Sequence, residues 1–144
     1  MSSKENGFKE TEIGRIPKDW EITSIGGVCL IRRGASPRPI QNFLSSSGIP
    51  WVKISDATSQ KTMYIDFTNE YIIEKGRSNT VIVKSGDLIL SNSATPGIPK
   101  IMRIEAGIHD GWLLISPLEK VNKYFMYYLF LQERNKLARI ADGT

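Results

Sequence analysis

Residues 80–91 read Thr-Val-Ile-Val-Lys-Ser-Gly-Asp-Leu-Ile-Leu-Ser, which is two short apolar runs on either side of a Ser-Gly-Asp step. Val, Ile and Thr favour strands, and Gly beside Asp favours a tight turn. The stretch predicts strands at residues 80–83 and 88–91 joined by a turn. Similar runs predict five more short strands, at residues 27–32, 50–54, 71–73, 101–104 and 112–115.

The hydrophobic pattern changes near the end of the chain. Asn122 is a suitable N-cap, and residues 123–140 contain no Gly or Pro, which predicts a helix of roughly four to five turns. Residues 124–131 are apolar or aromatic on all sides, so we expect that half of the helix to be buried. The predicted fold class is α+β: a mostly β globular domain with twisted or mixed sheets and a C-terminal helix.

The length of 144 residues predicts one domain over residues 11–144, after a disordered leader at residues 1–10. In residues 11–20, we expect Ile16 and Trp20 to dock on the core.

A single cysteine, Cys29, excludes an intramolecular disulfide and favours a reducing, cytoplasmic location. With His109 as the only histidine, a Cys/His zinc site is excluded as well. No apolar run is long enough for a signal peptide or a membrane span.

Positive charge is concentrated in two blocks. Residues 26–63 carry five basic side chains against Asp56 alone, and residues 75–104 carry five against Asp87 alone, so each block nets +4. Two such blocks on one face would form a patch suited to phosphates, and the alternative is ordinary solvated surface charge.

Motifs for catalysis are absent from the sequence. It has no glycine-rich cofactor loop, no Asn/Asp-Pro-Pro-aromatic tetrapeptide, no P-loop, and no lysine two positions after a carboxylate as metal-dependent nucleases require. A lone histidine near a turn is usually structural or exposed, so we do not expect His109 to be catalytic. The alternative of an unrelated β-rich enzyme would require a catalytic site built on His109. The pattern favours a binding protein without metal or cofactor.

Three polar segments, at residues 32–39, 51–58 and 91–100, fall where loops are expected, and they supply the candidate DNA-binding side chains. Arginine can grip phosphate or guanine, and Ser, Asn and Thr can hydrogen-bond bases or phosphates. In the second segment Asp56 either faces a ligand or caps a turn. The candidates are Arg32, Arg33, Ser36 and Arg38 in the first segment, Lys53 and Ser55 in the second, and Ser91, Asn92, Ser93, Thr95 and Lys100 in the third.

Four motifs carry a family resemblance. They are Thr-Glu-Ile-Gly-Arg-Ile-Pro-Lys-Asp-Trp at 11–20, Arg-Gly-Ala-Ser-Pro at 33–37, Ile-Pro-Trp-Val-Lys-Ile-Ser-Asp at 49–56 and Ser-Gly-Asp-Leu-Ile-Leu-Ser at 85–91. In order and spacing the chain resembles the target recognition domain of the DNA specificity (S) subunit of bacterial type I restriction–modification systems.

The resemblance implies a non-catalytic module that reads one half of a bipartite double-stranded DNA site through the major groove. It implies that methyltransferase and restriction subunits are separate partners, and that S-adenosylmethionine, Mg²⁺ and ATP bind to those partners. The long spacer helices and second recognition domain of a complete S subunit have no counterpart in this sequence, which suggests a half-subunit, a truncated product or an excised domain. The alternative function is a protein-interaction module that docks on modification subunits, or regulates an S subunit, without reading DNA.

Overall fold

A computed structural model of the chain describes residues 7–119 and 121–134. Three α-helices lie in these ranges: α1 (Ile25–Val28), α2 (Ile54–Ser59) and α3 (Lys123–Gln132). The strands are β1 (Phe8–Thr11), β2 (Gly14–Pro17), β3 (Cys29–Arg33), β4 (Leu44–Ser45), β5 (Ile49–Val52), β6 (Tyr64–Ile65), β7 (Glu70–Ile72), β8 (Val81–Val83), β9 (Leu88–Ser91), β10 (Pro99–Met102), β11 (Ala106–Ile108) and β12 (Trp112–Pro117).

Two mixed five-stranded sheets form the body of the described structure. The first sheet has the order β3-β12-β9-β10-β6, and the second has the order β4-β7-β5-β11-β8. Each contains one parallel pair, β6 with β10 and β5 with β11, among antiparallel neighbours. The predicted α+β class with mixed sheets and a C-terminal helix is therefore confirmed.

The two sheets share a core in which Trp112 is central. Its side chain is fully buried among residues of both sheets, including Val52 and Ile108 from the second sheet and Ile89 from the first. The indole Nε1–H donates to the Val52 carbonyl across 3.2 Å, so the ring is both buried and hydrogen-bonded. This contact fixes the first sheet against the end of β5, where the second candidate segment begins.

The Ser-Gly-Asp step forms the predicted turn, but the turn connects the two sheets. Strand β8 belongs to the second sheet and β9 to the first. Gly86 has φ +98°, a conformation that glycine adopts at little cost, and the Asp87 carboxylate accepts from the Lys84 backbone N–H at 2.8 Å. All four residues of β9 are buried, because β9 lies between β12 and β10 with the core beside it.

The predicted strands are present, and all of them except β9 have shifted ends. Residues 27–28, predicted to begin a strand, belong to α1, and Ile54, predicted to end a strand, begins α2. The short strands β4, β6 and β11 were not predicted. Their two or three residues carry too little pattern to identify, and partners distant in sequence hold them in place.

Helix α3 begins as predicted, but its predicted burial on all sides is wrong. The Asn122 side chain accepts from the backbone N–H groups of Tyr124 and Phe125 at 2.8 and 3.2 Å. Only Met126, Tyr127 and Phe130 are buried, whereas Phe125 is 64% exposed. The predicted remainder at residues 135–140 lies outside the described residues. No described helix has the length and apolar character needed to cross a bilayer.

The N-terminal expectations need two corrections. Residues 1–6 of the predicted leader lie outside the described residues, but Phe8–Thr11 form β1, which pairs with β2. Trp20 does not dock on the core, since it is 61% exposed, whereas Ile16 is half-buried.

Candidate nucleic-acid interface

An open cleft of about 930 Å³ brings together the three candidate segments; we call it the recognition cleft. The first segment supplies residues 36–39, the second supplies Trp51, Lys53, Ile54 and Ser55, and the third supplies Ser93 and Ala94. Ile40, Gln41, His109 and Asp110 complete the lining. Residues as far apart in sequence as Ser36 and Asp110 thus share one surface.

Gly34 seats the first segment against the segment that follows β11. Its N–H donates to the Trp112 carbonyl at 2.9 Å, and the next N–H, that of Ala35, donates to the Ile108 carbonyl at 3.0 Å. A Cβ on Gly34 would lie 2.0 Å from the His109 carbonyl oxygen and 2.7 Å from that of Ile108. The close backbone approach therefore requires glycine here.

Asp56 shapes the second segment from beneath. The side chain is 1% exposed, and its Oδ2 accepts from the Lys53 N–H at 2.8 Å while Oδ1 accepts from the Asn69 N–H at 3.2 Å. Of the two roles left open for Asp56, the structure favours capping. The carboxylate holds the start of α2 and the segment before β7 together, and this leaves Lys53 and Ser55 exposed at the cleft.

Ser91 organises the third segment from inside. It is 2% exposed, its hydroxyl donates to the Thr95 carbonyl at 2.7 Å, and the same oxygen accepts from the Ile98 N–H at 2.8 Å. These bonds close the loop that carries Ser93 and Ala94 into the cleft. The Asn92 Oδ1 atom is buried, with no hydrogen-bond partner in the described part of the chain.

Two weak ion pairs hold cations at the cleft. Arg38 pairs with Asp110 at 3.4 Å, with 79% and 46% of the two side chains exposed, and Lys53 pairs with Glu70 at 3.6 Å. Arg33 also reaches this corner, where its Nε donates to the Asp110 carbonyl at 3.0 Å. The exposed Arg38–Asp110 pair contributes up to about 1 kcal/mol, so a phosphate can replace that carboxylate at small cost. The Glu70 Oε2 atom is buried and has no hydrogen-bond partner among the described residues, so drawing Lys53 away from it costs more.

The candidate residues divide into three groups. Some line the cleft, some lie outside its lining and some are buried. Arg33 lies beside the cleft, where it donates to the Asp110 carbonyl. The cleft residues are Ser36, Arg38, Lys53, Ser55 and Ser93, those outside the lining are Arg32, Asn92 and Thr95, and the buried ones are Ser91 and Lys100. Arg32 is adjacent to Arg33 on β3, so the two side chains point to opposite faces of the sheet.

Ser91 and Lys100 need correction, because burial keeps them from any ligand in this conformation. Lys100 is 5% exposed, and its ammonium donates to the backbone carbonyls of Gln60 and Thr62. Burial, and then the nearby Lys61 ammonium, lowers the pKa of Lys100. Both residues leave the set of proposed DNA contacts and become part of the support for it.

The second basic block does not contribute cations to the cleft lining. Arg77 pairs with Glu74 and Glu105, and Arg103 pairs with Asp66 at 3.3 Å while stacking on the Tyr64 ring. The lining cations, Arg38 and Lys53, both come from the first block. Of the two alternatives for the basic blocks, a shared patch is therefore not formed at this cleft.

His109 and Asp110 are cleft residues that the sequence reasoning did not select. The His109 ring lies with its centroid 6.0 Å from that of Trp51 and 6.4 Å from that of Trp112. Burial lowers the pKa of His109 below its ordinary value of 6.5, the Lys53 ammonium lowers it further, and the Asp110 carboxylate opposes this. The available signal was a His-Asp-Gly step between two apolar runs. In the described ranges no group of three or more His, Cys, Asp or Glu residues is placed to hold a metal ion.

Comparison with known proteins places the chain in a family. Residues 17–144 match the family described as the type I restriction modification DNA specificity domain. The chain belongs to this family. Members are non-catalytic, which confirms the prediction that this specificity domain is not itself an enzyme.

Individual relatives agree with the family. The specificity domain is 30% identical over 128 residues to the type I restriction enzyme MjaIX specificity subunit of Methanocaldococcus jannaschii, covering 88% of this chain and 30% of that protein. It is 28% identical over 149 residues to the MjaVIII specificity subunit of the same organism, covering 95% and 34%. The chain spans about a third of the length of these curated relatives.

Solved structures share the fold. The crystal structure of the HsdS subunit from Thermoanaerobacter tengcongensis matches with a TM-score of 0.74 at 17% identity, covering 94% of this chain and 33% of that chain. A chain from a structural study of complex assembly and conformational transition in the type I R-M system matches with a TM-score of 0.71 at 16% identity, with the same coverage.

Proposed function

We propose that the specificity domain binds double-stranded DNA in a sequence-specific manner and reads one half of a bipartite target through the recognition cleft. The observation that carries the proposal is the convergence of three polar segments, distant in sequence, on one open cleft with Arg38 and Lys53 at its margin. Membership of a DNA specificity family supports the same reading.

The charge arrangement suits this task. In the absence of DNA, Arg38 and Lys53 are oriented by carboxylates at 3.4 and 3.6 Å, which are distances of weak pairing. A phosphate oxygen offers a stronger charge-assisted bond to either cation, and binding would release condensed counterions from the DNA. In the lining of the same cleft, Ser36, Ser55 and Ser93 offer hydroxyls that can donate to or accept from base edges.

The working partners follow from the family and stand as part of the proposal. Modification (methyltransferase) subunits, and the restriction subunit, would supply the chemistry with S-adenosylmethionine, Mg²⁺ and ATP. The specificity domain would direct them to the site without binding those cofactors. A cytoplasmic location fits this role, since the target is chromosomal or invading DNA.

Selection from a library of duplexes with a randomised central segment tests the DNA-binding proposal. We expect the purified chain to enrich one short contiguous motif and to bind it less tightly as salt rises. Arg38→Ala and Lys53→Ala should each reduce affinity for the selected motif, and each should lower the steepness of the salt dependence by about one if the side chain contacts a phosphate.

Arg77→Ala is the matched control, because it removes one exposed positive charge outside the cleft. It should bind the selected duplex about as well as the unmodified chain. Enrichment of no motif, or equal losses from Arg77→Ala and Arg38→Ala, would contradict recognition through the cleft.

A second function, as a protein-interaction module, is favoured by one observation. Along α3, Tyr124, Phe125, Tyr128 and Leu131 are between 44% and 64% exposed, although they are large and apolar. Such a face suits a protein contact, and modification subunits are the proposed partner. Copurification with modification subunits that is lost in Phe125→Glu, while selection of duplexes persists, would assign docking to this face and reading to the cleft.

A further inference from the structure

His109 lies in the recognition cleft beside two buried tryptophans. It directly follows β11, and its ring lies close to two tryptophans, tilted by 55° to Trp51 and 51° to Trp112. Both tryptophans are at most 2% exposed, so the ring is bordered by rigid, buried groups. The side chain therefore has little freedom to reorient when a ligand arrives.

A hydrogen bond fixes which ring nitrogen carries the proton. The backbone N–H of Gly111 donates to His109 Nδ1 at 2.9 Å, so Nδ1 is an acceptor and the neutral ring holds its proton on Nε2. A Cβ on Gly111 would lie 2.6 Å from His109 Cε1 and 2.2 Å from Ser93 Oγ. Glycine at 111 thus permits both the bond and the approach of the third segment.

The Nε2–H group is left available to the cleft. Within the described ranges it makes no hydrogen bond, and Nε2 is not among the enclosed side-chain atoms without a partner. The charged groups facing the ring are Lys53 from the end of β5 and Asp110 from its own segment. Asp110 is paired with Arg38, and Lys53 is paired with Glu70. Burial and Lys53 together keep the imidazole neutral near pH 7.

We infer that His109 is a specificity-determining residue whose Nε2–H donates a hydrogen bond to an acceptor on a base edge of the bound DNA. The inference rests on the proposed function and adds a named contact to it. A fixed donor with no acceptor selects guanine O6 or N7, adenine N7 or thymine O4, and rejects the cytosine amino group at that position.

Two variants separate the donor from the ring. His109→Phe keeps an aromatic ring beside the tryptophans without any donor, and His109→Gln places an amide N–H near the position of Nε2. In selection from the same randomised duplexes, we expect His109→Phe to lose the preference at one base position and to bind the original motif about 3- to 10-fold less tightly, as befits one hydrogen bond. His109→Gln should retain the preference at that position.

The outcomes distinguish the inference from the proposed function. If the unmodified chain enriches no motif, the proposed function fails. If it enriches a motif that His109→Phe reads equally well, the function stands and the inference is overturned. A uniform loss of affinity across all sequences in His109→Phe also overturns it, because that pattern belongs to a phosphate contact. Thermal unfolding of both variants verifies that each is folded at the temperature of selection.

Discussion

Replacing Asp56 with Ala is predicted to produce one of the largest losses of stability among single substitutions at the cleft. The carboxylate is 1% exposed and accepts two backbone N–H bonds, from Lys53 and Asn69. Hydrogen bonds to a charged group contribute about 1.5–3 kcal/mol each, and truncation leaves both N–H groups without this partner. We expect the free energy of unfolding to fall by about 3–5 kcal/mol, a large share of the roughly 5–15 kcal/mol typical of a domain.

Urea unfolding followed by tryptophan fluorescence measures this loss. With a denaturant slope of about 2 kcal/mol per molar, the midpoint should fall by roughly 1.5–2.5 M with the slope unchanged. Asp87→Ala is the matched control: that carboxylate accepts one backbone bond in an exposed turn, so about 1 kcal/mol is expected. Equal losses in the two variants, or a loss under 1 kcal/mol for Asp56→Ala, would refute the assignment of Asp56 as the buried cap of α2.

Three further predictions use the same unfolding and binding assays. Gly34→Ala should destabilise the chain by more than about 2 kcal/mol, because the Cβ of the alanine would meet two backbone carbonyls at 2.0 and 2.7 Å. A loss below about 1 kcal/mol would show that the loop can move aside. Lys100→Met should leave DNA affinity and its salt dependence unchanged, since the ammonium is buried against carbonyls, and a reduced salt dependence would return Lys100 to the interface. Folding lowers the pKa of His109 below 6.5, so the unfolded chain binds more protons as pH falls through that value, and the free energy of unfolding should drop from about pH 7 to pH 5. The drop should be smaller in His109→Gln. Equal drops in the two proteins would contradict the burial of a neutral imidazole.

Local patterns predicted those parts of the fold that local chemistry decides. Strand β9 has the predicted bounds, because four apolar or small residues after a Gly-Asp turn suit a strand buried on both faces. Asn122 caps α3 as predicted, since capping depends on neighbours two and three residues away. Pairing between β5 and β11 was beyond such reasoning, because it joins residues more than 50 positions apart in parallel.

The features that the sequence predicted wrongly or missed are those that tertiary contacts decide. In residues 124–131 nearly every position is apolar, so the pattern contains no signal for which face packs inward, and Phe125 is exposed while Tyr127 is buried. The charge of Lys100 predicts an exposed contact, but its alkyl stem and two carbonyl acceptors let it occupy a buried strand. A lone histidine gives no sign of a binding role, because the place of His109 in the cleft depends on β11 meeting the first segment, which only the tertiary structure shows.

The pairing of β3 has a consequence for the order in which the chain assembles during synthesis. Within the described sheets, β3 has β12 as its partner, and Gly34 is anchored to the carbonyl of Trp112. A ribosome delivers β3 and the first segment about 80 residues before that partner, so one wall of the recognition cleft stays unpaired while those residues are synthesised. Closing so long a loop is slow, and a nascent chain that stalls before residue 112 carries its arginines on a strand with no sheet to join.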